Sequence, residues 1–336
     1  MSRKNVLVVP SVPLYKKLFS EAADAHLLSL ANVAYNETEA DWTGADLARR
    51  IAEADILLTS WRNPKLTPEL LDLAPRLKLV AHSAGSVKFM IDDSIFCQGI
   101  QVSTAGAAMV PPVAETTVLL CMLMLRPVYK LDEGLRSAAP WFEMKLAGVG
   151  DELGTKTVGI IGAGQIGKRV IKMLRAWEID VRLFDPYISP EQAAAMDVTA
   201  YHSLQDMLPH CDIVTLHAPV LPETRHLMGG EELRRMRDGT ILINTARAWL
   251  VDHDALAAEL KQGRLRYATD VFENEPLPRD DAWRTMPNTF ILPHIAAATR
   301  QCFHRQGDIT VAEIERFIGG KPLQYPVTEQ SLKLMA

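Results

Sequence analysis

With 336 residues, of which 48% are hydrophobic and 23% charged, the chain has the composition of a folded protein and excludes a disordered or fibrous one. Its length predicts two domains, with room for a cleft between them. The net charge of -5, with Lys and Arg scattered along the chain, argues against nucleic-acid binding and for small partners.

The N-terminal MSRK passes directly into NVLVVP, a strand-like run too short for the core of a signal peptide, so a cytoplasmic location is expected. NVLVVP is followed by a helix-period segment, YKKLFSEAADAHLLSL. DILLTSW then leads to TPELLDLAP, where Thr67 and Pro68 predict an N-cap and a first helical position. LKLVAHSAG and QVSTA complete the series. The alternation predicts βα units on a parallel sheet over roughly the first hundred residues.

Pro111 and Pro112 introduce an apolar helix over 113–126, and a second helical stretch breaks near Pro140; together they read as a long connection between lobes. The longest uninterrupted apolar run, VLLCMLML at 118–125, has eight residues. A bilayer span needs roughly 20. It reads as a buried helix. Cys97, Cys121, Cys211 and Cys302 form no CxxC pair, which predicts reduced thiols and no metal site.

A second alternating series follows: TVGIIG, DVRLFD, DIVTLH, TILINT, LRYATD and TFILPH. Six strands in that order predict a complete doubly wound sheet. In KTVGIIGAGQIGKRVIKML, Gly162, Gly164 and Gly167 spell GxGxxG directly after a strand and before a helix. That context is what a dinucleotide needs: tight turning, close backbone approach, and free N–H groups for a pyrophosphate. Asp185 ends the next strand 18 residues after Gly167, placed to accept from a ribose diol. Pro186 and Tyr187 follow it, with no arginine or serine for a 2′-phosphate, which favours NAD over NADP.

Three further residues close successive strands: Arg247 in INTARAWLV, Glu275 in DVFENEP and His294 in FILPHIA. Ligands of open α/β sheets collect beyond the carboxyl ends of strands. An arginine just past a buried strand has no local acid before Asp252, so a substrate carboxylate is the expected partner, held bidentately. Histidine can take or give the hydroxyl proton of a 2-hydroxy acid, and a carboxylate beside it orients the ring. Each residue alone has a plainer reading as a surface or strand-end residue. Their joint order downstream of the glycine loop points to hydride transfer.

Taken together, GAGQIGKRV, LHAPVLPETRHLM, INTARAWLVDHDAL, DVFENEP and LPHIAAAT resemble the D-isomer-specific 2-hydroxyacid dehydrogenases over most of 105–300. The resemblance implies an NAD-dependent reductase of 2-oxo acids with Arg247, Glu275 and His294 as the catalytic trio. It implies cofactor contacts from Gln165, Ile166, His217, Pro219, Thr224 and Ala246, and from Asp270 to the nicotinamide carboxamide. It also implies a Rossmann-type cofactor lobe over 105–296 and a discontinuous, flavodoxin-like substrate lobe over 1–104 and 297–336. A homodimer built through the cofactor lobe is expected, with Leu119, Leu120, Met122 and Leu123 as candidate contributors.

The loop HSAGS matches the place where the family binds the substrate carboxylate, so Ser83, Ala84, Gly85 and Ser86 are expected to bind it, Gly85 supplying a sharp turn. Arg62, beside Trp61, is a candidate for a second acidic group on the substrate; a solvent-facing arginine is the alternative. Ala248 stands where the family usually has glycine, and VKFMID replaces the usual pattern after the carboxylate loop. The chain ends soon after a helix beginning near Thr299, which predicts no regulatory domain. Two other functions stay open: an NAD-sensing, corepressor-like binding module, and oxidation of formate or phosphite within the same family.

Overall fold

The computed structural model describes residues 3–335. Its strands are β1 (Asn5–Val8), β2 (Asn32–Tyr35), β3 (Ile56–Thr59), β4 (Leu79–His82), β5 (Gln101–Thr104), β6 (Thr157–Ile161), β7 (Asp180–Phe184), β8 (Thr199–Tyr201), β9 (Ile213–Leu216), β10 (Ile241–Asn244), β11 (Arg266–Thr269), β12 (Thr289–Ile291) and β13 (Pro326–Val327). The chain divides into two units, residues 1–109 with 298–336, and residues 110–297.

The first unit carries a sheet in the order β13-β5-β4-β3-β1-β2. Its parallel part, 2-1-3-4-5, is the flavodoxin-like order. In β1 the side chains of Val6 and Val8 enter one core, with Leu18, Leu27 and Ile314, and Leu7, with Val9 just past the strand, enters the other, with Leu57, Val80 and Val102. Helices cover both faces, so its central strands read as unbroken apolar runs. The expected single helix after β1 is two helices, Val12–Leu18 and Glu21–Leu30, because Ser20 caps the second by accepting from the N–H of Ala23. Thr67 caps the helix Pro68–Asp72 by accepting from Leu70. The sheet is not wholly parallel: β13 pairs antiparallel with β5. That edge is set by Glu313, 1% exposed on the helix Arg300–Ile318, whose carboxylate accepts from the N–H groups of Gln324 and Tyr325.

The second unit carries seven strands, β12-β11-β10-β9-β6-β7-β8, all parallel. Read from the β8 edge, the first six positions follow the 3-2-1-4-5-6 Rossmann order, and β12 adds a seventh. The added member relative to the sequence reading is β8, three residues with no buried side chain, which leave no hydrophobic signal. Order reverses between β6 and β9, next to the glycine loop. The helical segment Gly106–Leu125 is longer than the eight-residue apolar run suggested; at 20 residues it is long and apolar enough by composition to span a bilayer. In the fold its buried side chains, including Ala114, Val118, Leu120 and Cys121, pack with Ile160, Val170 and Leu174. Leu119 and Met122 face outward.

Candidate active site

The glycine loop leaves β6 with Gly162 at φ 94°, and a Cβ there would lie 2.8 Å from the N of Ala218. A Cβ on Gly167 would lie 2.0 Å from the carbonyl oxygen of Gly162. The two positions therefore close the turn on itself. Gly164 has open space around it and caps the helix Gln165–Arg175 with no side-chain bond. The first-turn N–H groups of Gln165, Ile166 and Gly167 are thus left without intrahelical partners, as at any helix start. Asp185 follows β7 and accepts from the N–H of Ala163 at 2.7 Å and of Tyr187 at 2.8 Å, so it also braces the loop. Its carboxylate oxygens retain lone pairs for further donors.

His217 follows β9, half-buried, its Nε2 3.1 Å from Thr215 Oγ1, and desolvation pushes its pKa down to about 4. The hydroxyl of Thr224 accepts from the N–H of Leu221 at 2.7 Å and donates to the carbonyl of Pro219 at 2.6 Å, closing the 219–224 turn. Both residues are thereby placed as loop architecture.

Beyond β10, Asn244 fixes the turn that presents Arg247. Its side-chain oxygen accepts from the N–H of Ala246 at 3.0 Å and its amide donates to the carbonyl of Arg247 at 2.9 Å. An asparagine closing a strand is a recognised turn former, and that signal in ILIN was available to a closer sequence reading. The Arg247 guanidinium is half-buried and donates to the carbonyl of Ala246 at 2.8 Å, its one side-chain hydrogen bond among the described residues. Burial disfavours its charge, while Glu275 and Asp270 favour it from a distance. Ala248 is buried in a short helical turn, Ala248–Leu250, without left-handed backbone, so alanine fits where the family usually has glycine. Trp249 is partly exposed beneath the Arg225 guanidinium, 4.3 Å from the ring centre.

His294 Nδ1 lies 2.5 Å from Glu275 Oε2, and Glu275 Oε1 accepts from the N–H of Phe272 at 2.9 Å. With Nδ1 protonated, Nε2 is left free to exchange a proton. Asp270, 1% exposed, ties the same region together: its carbonyl accepts from the N–H of His294 and its Oδ2 from Ala296. Burial pushes its carboxyl above the usual range, and its Oδ1 is buried with no partner. A cavity of about 700 Å³ adjoins this pair, lined by Phe272, Pro276, Leu277, Arg284, Ile291 and His294 among others.

These features fit a nicotinamide dinucleotide: unpartnered helix N–H groups, a loop that admits no Cβ at Gly162 or Gly167 and leaves open space at Gly164, a carboxylate after β7, and an orphaned carboxylate oxygen on Asp270 suited to an amide donor.

In the first unit, His82 closes β4 and residues 83–86 follow it. Ser83 is committed inward, its N–H and hydroxyl both donating to the carbonyl of Thr59. Among the described residues the N–H groups of Ala84, Gly85 and Ser86 donate to no protein acceptor. Gly85, expected to supply a sharp turn, does so without left-handed backbone; a Cβ there would lie 2.7 Å from Met109 Cε, so its small size serves packing. Arg62 is exposed at φ 62°, with Asp41 Oδ2 at 4.0 Å, and Trp61 packs edge-on against Phe303.

A profile of the D-isomer specific 2-hydroxyacid dehydrogenase NAD binding domain matches residues 118–296. The glyoxylate reductase of Thermofilum pendens is 30% identical over 341 residues, 99% of this chain and 97% of that protein. The D-3-phosphoglycerate dehydrogenase of Methanocaldococcus jannaschii is 32% identical over 293 residues, 87% of this chain; the match spans 55% of that longer protein. The structure of Rhodotorula graminis D-mandelate dehydrogenase superposes with a TM-score of 0.85 at 21% identity, covering 97% of this chain and 98% of that one, which speaks to the fold.

Proposed function

The chain belongs to the D-isomer-specific 2-hydroxyacid dehydrogenase family, and from that membership we propose that it reduces a 2-oxo acid to the D-2-hydroxy acid, reversibly, with NADH. NADH, when bound, supplies the hydride. Arg247 holds the substrate carboxylate and polarises the carbonyl, a planar fork being suited to both. His294 gives the proton from Nε2 to the developing alkoxide, while Glu275 keeps the ring oriented and meets the charge that changes on it. The free N–H groups of Ala84, Gly85 and Ser86 serve as an anion-binding loop for the substrate. Arg62 meets a second acidic group where the substrate has one. Asp185 favours NADH over NADPH because its carboxylate accepts from a ribose diol and repels a 2′-phosphate.

The observation that carries this reading is Arg247, a half-buried cation without a carboxylate in hydrogen-bonding contact among the described residues, in the same unit as the His294–Glu275 pair. A buried charge is normally paired. The test is NADH oxidation followed by absorbance, against glyoxylate, hydroxypyruvate, pyruvate, 2-oxoglutarate, oxaloacetate and bulky 2-oxo acids, with Arg247→Ala as control. Turnover that drops at least ~10²-fold in the control supports the assignment. Tight NADH binding with no turnover of any member would favour a cofactor-gated binding module instead. An Arg62→Ala protein that loses equal activity on diacids and monoacids would sink the role of Arg62.

We also propose a homodimer. The helices Val128–Arg136 and Trp141–Ala147 bury none of their residues, yet carry exposed Trp141, Phe142 and Leu146, and Val149 follows. Contiguous exposed apolar surface of this kind marks an interface. Sedimentation at working concentration decides it, and a monomer there would overturn it.

A further inference from the structure

Both turns that present Arg247 and His294 are tethered to one helix, Val110–Leu125, by adjacent hydroxyls. Thr116 Oγ1 donates to the carbonyl of Ala296 at 3.0 Å, and Thr117 Oγ1 lies 2.9 Å from Thr245 Oγ1. We propose that Thr116 and Thr117 are positioning residues that set the distance and orientation between the arginine and the histidine. The inference rests on the dehydrogenase reading above and adds to it two residues that touch neither substrate nor cofactor.

The hydrogen-bond arithmetic is specific. A hydroxyl has one proton. Thr117 is fully buried, and its hydroxyl also donates to the carbonyl of Val113 at 2.9 Å, which can only accept. The proton of Thr117 is therefore committed, and the hydroxyl of Thr245 must be the donor in the pair. Thr245 lies two residues before Arg247 in the turn shaped by Asn244. On the other side, the peptide of Ala296 is gripped from both ends. Its N–H goes to Asp270 Oδ2 at 2.7 Å and its carbonyl receives Thr116. Ala296 lies two residues after His294, whose backbone stands at φ 48°.

Left-handed backbone on a residue other than glycine persists only where its surroundings over-determine it. The helix supplies part of that constraint, and it is itself anchored in the core through Ala114, Val118, Leu120 and Cys121. One rigid rod thus indexes two turns that leave different strands. The sequence TT at 116–117 gave no hint of this, since a threonine in an apolar helix ordinarily bonds back to its own backbone, as Thr117 does.

The test uses Thr116→Val, Thr117→Val, and the corresponding serines, assayed for NADH-dependent reduction of the best 2-oxo acid. Valine keeps the shape and removes the hydroxyl; serine keeps the hydroxyl. Thr117→Val, which strands the hydroxyl of Thr245 beside the Arg247 turn, is expected to raise KM for the oxo acid by about 10-fold with a smaller change in kcat. Thr116→Val, which frees the His294 side, is expected to lower kcat by roughly 10- to 100-fold with KM little changed. NADH affinity should stay within ~3-fold in both, and serine should restore most of each loss.

Valine variants that match the parent, or that lose kcat and KM together in step with a lowered Tm and are not rescued by serine, would overturn the proposal. If the parent reduces no 2-oxo acid, the dehydrogenase reading itself fails. Hydrogen exchange of the amides of Ala246 and Ala296, measured without substrate, then decides the tethers separately: faster exchange in the valine proteins supports them, and unchanged exchange overturns them.

Discussion

At the scale of single residues, the His294–Glu275 pair is defined by what each carboxylate oxygen does. One accepts from the imidazole Nδ1 and the other from the N–H of Phe272, so the glutamate is held from behind while it holds the ring. Glutamine cannot reproduce this. If its oxygen faces the histidine, its NH₂ faces the Phe272 N–H, donor against donor; reversed, it drives the imidazole proton onto Nε2. Glu275→Gln should therefore lower kcat by about 10²- to 10⁴-fold while NADH affinity is unchanged, as steady-state kinetics and fluorescence titration would read. A loss under 10-fold would remove Glu275 from the mechanism. Asp270 acts differently, through a buried carboxylate that binds the backbone of Ala296 and leaves one oxygen open. The strand-end positions of Arg247, Glu275 and His294 were legible because each follows an apolar run. The bonds of Thr116 to Ala296 and of Thr117 to Thr245 were not, because their partners lie elsewhere in the sequence.

At the scale of elements, the strand–glycine–helix unit is fixed by contact between backbones. Gly167→Ala puts a methyl 2.0 Å from a carbonyl oxygen that belongs to the same loop and cannot swing aside. A loss of about 2 kcal/mol or more is expected, seen as a lowered Tm, together with at least ~10-fold weaker NADH binding. Gly164→Ala separates packing from ligand contact. Its Cβ meets nothing within 4 Å, so Tm should hardly change. NADH binding should still weaken, since the methyl would stand where the pyrophosphate is proposed to come closest. An unaffected affinity in Gly164→Ala would count against that placement. Such a unit is readable from sequence because all its parts lie within about 30 residues.

At the scale of the whole molecule, buried histidines make stability depend on pH. Burial pushes His82 down to about 3 and His217 down to about 4, against an ordinary value of 6.5. The folded state resists protonation while the unfolded chain accepts it near 6.5. Their stability contribution is therefore complete above that pH and is lost as pH falls toward the folded values. His82, 1% exposed, should remove about 1.4 kcal/mol per pH unit over that window, or about 3 kcal/mol by pH 4.5, and the half-buried His217 less. Chemical unfolding at pH 7.5 and 4.5 measures the slope, and His82→Gln should flatten part of it. An equal slope in the variant would show that His82 is not buried neutral.

Two α/β sheets, the dinucleotide loop and the identity of the strand-end residues could be read before any folding, because period, glycine spacing and strand order are local or sequential signals. The packed fold was needed to see that Ser83 turns inward to Thr59, that Gly85 serves packing against Met109, and that β13 returns antiparallel onto β5 under the hold of Glu313. It also decided which helix indexes the Arg247 and His294 turns. Those outcomes depend on hydrogen bonds and contacts between residues up to about 220 positions apart, whose partners are set by how the layers pack, and no local pattern of residues encodes them.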